Sequence, residues 1–265
     1  MIIKKLSGNS GCDVLLLQEN NVKYIRKVSS CQGYNHRLIA QMEKQKLFLG
    51  ISSEINSPRV IGEGYSDNLF YFDMEYIAGS LMSDHVNNSD ISTINVYLEV
   101  ILKYLDFPNS IETKDMTSQV LEKTSKMRDV SPSKYSRYFS YVEDNNWKAI
   151  PEIFCHGDFT LENLIVSNGQ VYFIDFLDTF AKTRLLDISK FLFDVRYFWS
   201  KRDSNRKEIV KNIYLDSKIR NMNSYKQNVE TINRLMVLDI LRILPYCTDN
   251  SLVLYLEGCL EHAAR

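Results

Sequence analysis

The apolar positions in the first part of the chain predict a small sheet that contains one helix. Residues 14–18, 22–28, 60–61 and 69–77 are rich in apolar, aromatic and β-branched side chains and read as strands. Residues 36–50 repeat apolar side chains with a helical period and end at a glycine, which is typical of an amphipathic helix. The predicted order is strand, strand, helix, strand, strand.

The pattern becomes helical after residue 80. Residues 81–147 are helical and polar, with breaks near Pro108 and Pro132, and residues 188–265 are helical again, with the clearest period in 232–246. The chain contains no internal repeat and no low-complexity tract. The sequence therefore predicts an α+β fold in which a small sheet lobe precedes a larger, mainly helical lobe.

Length, composition and charge fit one globular unit with two lobes. The chain has 265 residues, of which 45% are hydrophobic and 25% are charged, so it can bury a large core and is not a disordered chain. Its 32 basic and 33 acidic residues leave a formal net charge of -1. Nucleic-acid binding and membrane adsorption usually require a positive field. We therefore expect no nucleic-acid partner and no membrane insertion.

The cysteines and the first residues favour a reducing compartment. The five cysteines are odd in number and scattered and contain no CxxC pair, so we interpret them as reduced packing residues. The first residues lack the apolar run of a signal peptide. The apolar stretch 235–244 is interrupted by Asp239 and Arg242 and is too polar to span a membrane. The expected location is the cytoplasm.

A hairpin in the middle of the chain organises the most informative motif. Asn168-Gly169 lies between two β-rich runs and is the strongest short signal for a two-residue type I′ turn. If the residues that flank this turn pair, Asn163 lies opposite Ile174 and Asp175 follows one step beyond. The open end of the hairpin then brings an amide and a carboxylate together.

A third polar side chain precedes this hairpin. Asp158 comes five residues before Asn163, so the loop delivers it to the same end, near Asp175. Magnesium prefers one or two protein oxygens together with phosphates and waters, which suits an asparagine and an aspartate. Phosphoryl transfer by kinases uses a loop aspartate, an asparagine five residues later and a second aspartate on the metal.

These residues carry a resemblance to a known family. His156-Gly157-Asp158 with Asn163, followed by Ile174-Asp175-Phe176, resembles the signatures of the aminoglycoside and choline phosphotransferases and related sugar kinases. The resemblance covers residues 6–190, and only 156–187 carry specific letters. It implies a two-lobed protein-kinase-like fold.

The same resemblance assigns roles by position. It implies that Asp158 is the catalytic base, that Asn163 and Asp175 are the metal ligands, and that His156 is a structural brace of the loop. Family members commonly show Gly-Asp-Pro before a further aspartate, and here Asp187 alone remains, as a residue that caps or braces the following helix. Asp175 lacks the glycine of a protein-kinase Asp-Phe-Gly motif, which disfavours a regulated protein kinase.

The first residues offer a phosphate-binding turn. Gly8 and Gly11 lie just before a strand, where small residues let backbone amides approach phosphates. The segment is neither a P-loop nor a dinucleotide-binding fingerprint, because it lacks both glycine patterns. An ordinary hairpin accounts for these letters equally well.

A kinase of this type needs a strand lysine and an acid on the helix. Lys27 and Arg26 lie on opposite faces of their strand, and the resemblance favours Lys27 as the residue that contacts the α- and β-phosphates. Glu43 is its predicted partner, although a shifted alignment places Gln41 there.

The hinge of the fold is predicted from residues 72–79. By resemblance, adenine would hydrogen-bond to the main chain of Glu75 and Ile77, within a hinge near residues 75–79. The domain organisation that follows is a nucleotide-binding lobe over residues 1–77 and a helical lobe over residues 80–265, which carries the catalytic loop and the metal-binding hairpin.

The sequence predicts a kinase that uses ATP and Mg²⁺ to phosphorylate a hydroxyl of a small molecule. Choline, an amino sugar, a neutral sugar and an antibiotic remain open as acceptors, and Asp239 and Glu257 are candidates to attract a cationic one. The preference for ATP over GTP and the oligomeric state remain open as well. Two alternatives from other classes are an inactive kinase-like nucleotide-binding module and a helical interaction protein with a chance hairpin.

Overall fold

The computed structural model describes residues 1–6, 11–48, 55–108, 111–202 and 208–265. These residues form two compact units. The first unit consists of Met1–His85 and Glu162–Asp178, and the second consists of Val86–Leu161 and Thr179–Arg265. The chain therefore passes from the second unit to the first and back again around the hairpin.

The first unit contains eight strands and one complete helix within its described residues, and a second helix crosses its boundary. In chain order these are β1 (Ile2–Leu6), β2 (Cys12–Glu19), β3 (Val22–Ser29), α1 (Asn35–Phe48), β4 (Val60–Ser66), β5 (Leu69–Glu75), β6 (Ser80–Leu81) and the boundary helix α2 (Met82–Asn88), with β9 (Leu164–Ser167) and β10 (Gln170–Phe173) contributed by the later segment.

The second unit is mainly helical over the residues that the structure describes. Its helices are α3 (Ile91–Leu105), α4 (Thr117–Arg128), α5 (Ser136–Glu143), α6 (Leu185–Tyr197), α7 (Ile209–Arg220), α8 (Asn223–Gln227), α9 (Val229–Ile243) and α10 (Asn250–Ala263). Two short strands, β7 (Thr113–Lys114) and β8 (Ile150–Pro151), pair with each other. Across the described segments, no helix combines the length and the apolar character that a membrane span requires.

The main sheet of the first unit is antiparallel, with the strand order β1-β2-β3-β5-β4. Asn20 and Asn21 both have positive φ, so a two-residue turn joins β2 to β3 as the sequence indicates. The unpredicted addition is β1, which makes the strand that carries Lys27 the third of the sheet. The sequence of β1, Ile2–Leu6, does not alternate apolar and polar residues because two consecutive lysines interrupt it. Such lysines are common in exposed edge strands.

One face of α1 covers this sheet. Leu38 and Met42 are buried against Phe70, Phe72 and Met74 in the core of the first unit. Their spacing of four residues, together with the alternation of the strand residues, is the pattern that sequence analysis predicts for a helix on a sheet. The predicted helix end at Gly50 lies outside the described residues.

The central hairpin has the predicted register. Asn168 and Gly169 have φ values of 50° and 77°, and Ser167 pairs with Gln170. The Ile174 amide donates to the Asn163 carbonyl over 3.0 Å, which extends the ladder to its open end. β6 adds a third strand beside β9.

The hairpin packs against α1 within the first unit. The Phe48 ring lies 5.3 Å from the Phe173 ring and 5.1 Å from the Phe176 ring, and the Lys44 amine donates to the Leu177 carbonyl over 2.5 Å. The division predicted at residues 77 and 80 instead groups the hairpin with the helical lobe. The difference arises because α1 supplies the aromatic and polar partners of the hairpin, and such tertiary contacts leave no local trace in the sequence.

Helix α6 lies in the interior of the second unit. All eleven residues from Leu185 to Val195 are buried, and three of them, Asp187, Lys190 and Asp194, are ionisable. Buried charges are tolerated only when they are paired or hydrogen-bonded. This helix therefore depends on polar partners from the segments around it.

Gly79 allows the backbone before β6 to approach β9 closely. A Cβ atom at this position would lie 2.7 Å from Ile165 Cγ2 and 3.0 Å from Ser167 Cβ, and it would collide with the Val166 carbonyl oxygen. We expect Gly79→Ala to lower the free energy of unfolding by about 1–3 kcal/mol, because backbone rather than a flexible side chain must move. Urea denaturation measures the change.

Gly258→Ala is the matched control. Gly258 lies within α10, and an added Cβ meets nothing within 4 Å. Alanine there should stabilise the protein by about 0.5–1 kcal/mol through helix propensity. Equal effects of the two substitutions on the urea midpoint would contradict the close approach at Gly79.

Candidate active site

The loop that carries Asp158 is held by the first turn of α6. One carboxylate oxygen of Asp187 accepts from the His156 amide over 2.6 Å, and the other accepts from the Gly157 amide over 2.7 Å. The Tyr104 hydroxyl donates to the same carboxylate over 2.7 Å. Asp187 is fully buried, so these three donors take the place of water around its charge. The predicted bracing role of Asp187 is directed at the loop.

The conformation of the loop accounts for the glycine at position 157 and the buried histidine at position 156. Gly157 has φ of 94°, a conformation that residues with a side chain rarely adopt. His156 is fully buried, and its Nδ1 accepts from the Asp158 amide over 3.2 Å. Because an amide is a donor, Nδ1 carries no proton in this arrangement. His156 thus fixes the backbone of Asp158 without contributing a charge at that atom.

The Asp158 carboxylate is paired with a lysine from α6. Lys190 Nζ lies 2.9 Å from Asp158 Oδ1, and the Lys190 side chain is 9% exposed whereas that of Asp158 is 34% exposed. Burial raises the pKa of Asp158, but the charge and the hydrogen bond of Lys190, together with the charge of Arg242, outweigh burial, and the net pKa lies below its usual value. The carboxylate is therefore kept ionised and partly accessible.

A second carboxylate and a second cation complete this cluster. Asp239 Oδ1 on α9 lies 3.7 Å from Lys190 Nζ and 3.6 Å from Arg242 Nε. Burial lowers the pKa of Lys190, whereas Asp158 and then Asp239 raise it, and the net pKa is raised. The four side chains alternate in sign, which stabilises a charged lysine in a buried position.

A third residue of α6 fixes the end of the loop. Asp194 accepts from the Leu161 amide over 2.7 Å, and it also accepts from the Ser200 amide and hydroxyl. Its pKa is raised, mainly by burial. Asp187, Lys190 and Asp194 follow each other at intervals of three and four residues, so they share one helix face. Sequence analysis missed Lys190 and Asp194, although three charges at this spacing in an apolar helix are a usable signal.

The first unit holds a second lysine–aspartate pair. Lys27 on β3 forms an ion pair with Asp175, and the Lys27 side chain is 3% exposed whereas that of Asp175 is 41% exposed. Burial would lower the pKa of Lys27, but Asp175, followed by Cys12, raises it, and the net pKa is raised. Asp175 has φ of 63°, the left-handed conformation that non-glycine residues adopt mainly at constrained sites.

The neighbouring cation faces the other side of the sheet. Arg26 donates from Nε and an Nη atom to the two carboxylate oxygens of Asp73 at 2.7 and 2.8 Å, and its guanidinium lies 4.0 Å from the Tyr71 ring centre. The alternation of strand side chains separates Arg26 from Lys27. Lys27 is therefore the residue that the strand directs toward Asp175.

Glu43 does not pair with Lys27, so that prediction is wrong. Glu43 is exposed and pairs with Lys46 over 3.2 Å, because the buried face of α1 runs through Leu38, Gln41, Met42, Gln45 and Phe48. Gln41 lies on that face, as the shifted alignment requires. Its Nε2 donates to the Tyr34 hydroxyl over 3.0 Å, and its Oε1 is buried and has no hydrogen-bond partner. The Tyr34 hydroxyl also interacts electrostatically with Lys27.

The remaining nucleotide-binding candidates are placed in part. Gly8 lies outside the described residues. Gly11 has its carbonyl bonded by the Ser30 amide and hydroxyl, and a Cβ at this position would lie 2.7 Å from the Tyr34 ring. Glu75 ends β5, and its side chain accepts from Arg59 Nε over 2.6 Å, whereas Ile77 follows in a segment without regular secondary structure. Their contact with adenine stays a prediction.

The donor set at the hairpin end fits a hard cation. Asn163 and Asp175 lie at the last paired position and one step beyond it, and they offer an amide oxygen and a carboxylate. Both are ligands that Mg²⁺ accepts together with phosphate oxygens. Among the residues that the structure describes, no three histidine, cysteine or acidic side chains form a metal cluster of their own.

Part of the chain matches the model of a known protein family. Residues 135–211, which include the Asp158 loop and α6, match the model of the phosphotransferase enzyme family. No curated protein matches the chain significantly in sequence.

Solved structures show the same fold at low sequence identity. A putative fructosamine-3-kinase from Haemophilus somnus 129PT is 13% identical with a TM-score of 0.60, and the match covers 99% of this chain and 90% of that one. An ethanolamine kinase from Plasmodium vivax is 12% identical, with a TM-score of 0.57 and coverage of 98% and 81%. An aminoglycoside-3'-phosphotransferase of type VIII is 14% identical, with a TM-score of 0.57 and coverage of 90% and 92%.

These solved structures show the two-lobed α+β protein-kinase-like fold, and the family match over residues 135–211 supports a phosphotransferase. The resemblance to the aminoglycoside and choline phosphotransferase family, drawn from the His-Gly-Asp and Ile-Asp-Phe motifs, is thereby confirmed.

The three bonds to Asp187 predict a stability effect. Asp187→Asn keeps one acceptor oxygen and turns an amino group toward a donor, so at least one buried N–H or O–H loses its partner. Each orphaned buried donor costs about 1–3 kcal/mol. We expect a lower free energy of unfolding in urea.

Tyr104→Phe is the control for this substitution, because it removes one donor and leaves both loop amides bonded to the carboxylate. Its effect on the unfolding free energy should be smaller than that of Asp187→Asn. A larger effect of Tyr104→Phe would show that Asp187 stabilises the tyrosine rather than the loop.

Proposed function

We propose that the protein is an ATP- and Mg²⁺-dependent kinase that transfers the γ-phosphoryl group to a hydroxyl of a small molecule. The observation that carries the proposal is the ion pair of the buried Lys27 with the partly exposed Asp175 in the first unit. Protein-kinase-like enzymes use a lysine of the third strand on the α- and β-phosphates and an aspartate after the hairpin on the metal. Lys27 lies on the third strand, and Asp175 follows β10 directly.

In this proposal, Lys27 binds the α- and β-phosphates. A lysine buried to this degree keeps its proton only beside an acid, and Asp175 supplies that acid. Phosphate oxygens are a second source of negative charge that suits the same ammonium group. Gly8 and Gly11 add backbone amides, and the main chain of Glu75 and Ile77 accepts and donates to adenine.

Asn163 and Asp175 would hold the magnesium ion. When bound, Mg²⁺ neutralises charge on the β- and γ-phosphates. The supporting observation is the chemistry of the donors, one amide oxygen and one carboxylate at the end of the hairpin ladder. The partial exposure of Asp175 leaves it able to accept a ligand.

Asp158 is the proposed catalytic base. The acceptor oxygen forms a bond to the γ-phosphorus while the bond between this phosphorus and the β,γ-bridging oxygen breaks, and the electron pair stays on ADP. The proton of the acceptor hydroxyl passes to Asp158 and then to solvent. The lowered pKa of Asp158 keeps the carboxylate ionised, as a proton acceptor must be.

The charges around Asp158 favour an uncharged acceptor. Asp239 and Glu257, the two acids that could attract a cation, both have cationic partners: Asp239 faces Lys190 and Arg242, and Glu257 lies 2.6 Å from Lys134. Within the described residues of the second unit, neither acid offers an unbalanced charge. A neutral polyol or sugar therefore ranks before an aminoglycoside or an amino alcohol.

Two measurements test the proposal. Thermal shift with ATP, Mg²⁺ and both together should show the largest stabilisation with both, since ligand at 100 times its dissociation constant adds about 2.7 kcal/mol. An ADP-release screen over neutral sugars, amino sugars, amino alcohols and aminoglycosides should reveal an acceptor. Nucleotide binding without turnover on any of them indicates an inactive binding module, and no binding refutes the kinase.

Lys27→Ala tests which face of β3 binds the nucleotide. We expect it to weaken MgATP binding by about 10- to 100-fold, because it removes a charge-assisted contact, and to lower turnover by about 100- to 1000-fold. Isothermal titration and ADP release measure these changes. Arg26→Ala is the matched control, since Arg26 pairs with Asp73 on the opposite face and should leave both values near wild type. The reverse result would exchange the roles of the two residues.

Asp158→Asn tests the base. Asparagine keeps the size of the side chain and removes its ability to take a proton, so MgATP affinity should stay within about threefold while transfer falls by about 10²- to 10⁴-fold. Calorimetry and single-turnover transfer give the two values. Unchanged transfer would make Asp158 a loop brace, and lost MgATP binding would make it part of the nucleotide site.

A further inference from the structure

Lys190 has no role in the kinase chemistry described above, yet it is the side chain bonded to the proposed base. Its ammonium donates to Asp158 Oδ1 over 2.9 Å from a side chain that is 9% exposed. A buried lysine costs free energy in a hydrophobic helix unless its contacts compensate for the loss of water. We infer that Lys190 is a positioning residue that fixes the orientation of the Asp158 carboxylate for phosphoryl transfer, with Asp239 as its second anchor.

The geometry sets the direction of the carboxylate. The Asp158 backbone is fixed by its amide bond to His156 Nδ1, and the loop before it is fixed by Asp187. These bonds leave rotation about the side-chain torsions of Asp158 undetermined. The bond from Lys190 to Oδ1 removes that freedom, which fixes the plane of the carboxylate.

Lys190 is itself held from the opposite side. Asp239 Oδ1 lies 3.7 Å from its ammonium, and Arg242 closes the cluster at 3.6 Å from the same oxygen. The cations that lower the pKa of Asp158 therefore come from two helices, Lys190 on α6 and Arg242 on α9. One anchor on the loop and one on α9, which packs against α6, give the lysine a single position.

The spacing along α6 supports a loop-directed role. Asp187 binds residues 156 and 157, Lys190 binds residue 158 and Asp194 binds residue 161, so successive turns of one helix face contact successive parts of the loop. The first and third contacts are to backbone amides. The contact of Lys190 is to the side chain that the proposed reaction uses, which a purely structural brace does not require.

The test rests on the proposed function and uses MgATP as the probe, with phosphoryl transfer to water or to an acceptor found in the screen. Lys190→Met should lower kcat by about 100-fold, the size expected from misplacing a catalytic group, while KM for MgATP stays within about threefold. The kcat of Lys190→Arg should be at least about tenfold higher than that of Lys190→Met, because arginine keeps the charge. A change in KM alone, or equal loss in both variants, would overturn the inference.

A double variant distinguishes positioning from general stability. In the Asp158→Asn background, Lys190→Met should lower kcat by less than about twofold, because residues that act as a unit are not additive. A further loss of about 100-fold in that background would overturn the inference. Arg234→Met is the matched control: Arg234 is 8% exposed on α9 and pairs with Glu230, away from the loop, and its loss should leave kcat within about twofold of wild type.

A variant that keeps the ion pair covers the case in which Lys190→Met does not fold. Asp239→Asn preserves volume and the bond from Lys190 to Asp158 but weakens the second anchor, so kcat should fall by about three- to tenfold with KM for MgATP unchanged. Unchanged kcat would remove Asp239 from the proposal. A wild-type protein that neither binds nor turns over MgATP refutes the proposed function itself, whereas an active wild type with an unaffected Lys190→Met refutes the role of Lys190 alone.

Discussion

The conformation of the loop at His156 and Gly157 depends on one buried carboxylate. Asp187 is fully enclosed and remains compatible with the core because the amides of His156 and Gly157 and the hydroxyl of Tyr104 are directed at it. The positive φ of Gly157 turns the chain directly after these two amides, at the step that leads to Asp158. The loop and the helix that holds it therefore specify each other.

The regular spacing of residues on α6 also fixes the positions of the loop residues that it contacts. Loops of this length are usually free to vary, and a base on such a loop would lose orientation. Helix α6 is buried from Leu185 to Val195 and cannot shift without disturbing the core of the second unit. The fixed rise between Asp187, Lys190 and Asp194 thus acts as a rigid template for residues 156–161.

What could be predicted from the sequence was local. The register of the hairpin followed from Asn168-Gly169, because turn chemistry acts over four residues, and it correctly placed Asp175 just beyond Asn163. The partner of Lys27 was missed, because the choice between Glu43 and an acid 148 positions away depends on how α1 rotates against the sheet. Lys190 and Asp194 were missed because their roles also depend on a tertiary contact. Their meaning comes from a loop about 30 residues earlier in the chain, and helical periodicity alone cannot supply that contact.

Both units stabilise a buried lysine by pairing it with an aspartate. Each contains one buried lysine beside one partly exposed aspartate: Lys27 with Asp175 in the first unit and Lys190 with Asp158 in the second. A buried lysine without an acid would lose its proton, and a carboxylate buried without a cation would gain one. The acid in each pair therefore compensates for the loss of water around the buried ammonium group, and the net pKa of both lysines is raised. The partial exposure lies on the acidic partner in both pairs, so the acid is the group that remains accessible to ligands while the lysine holds it in place.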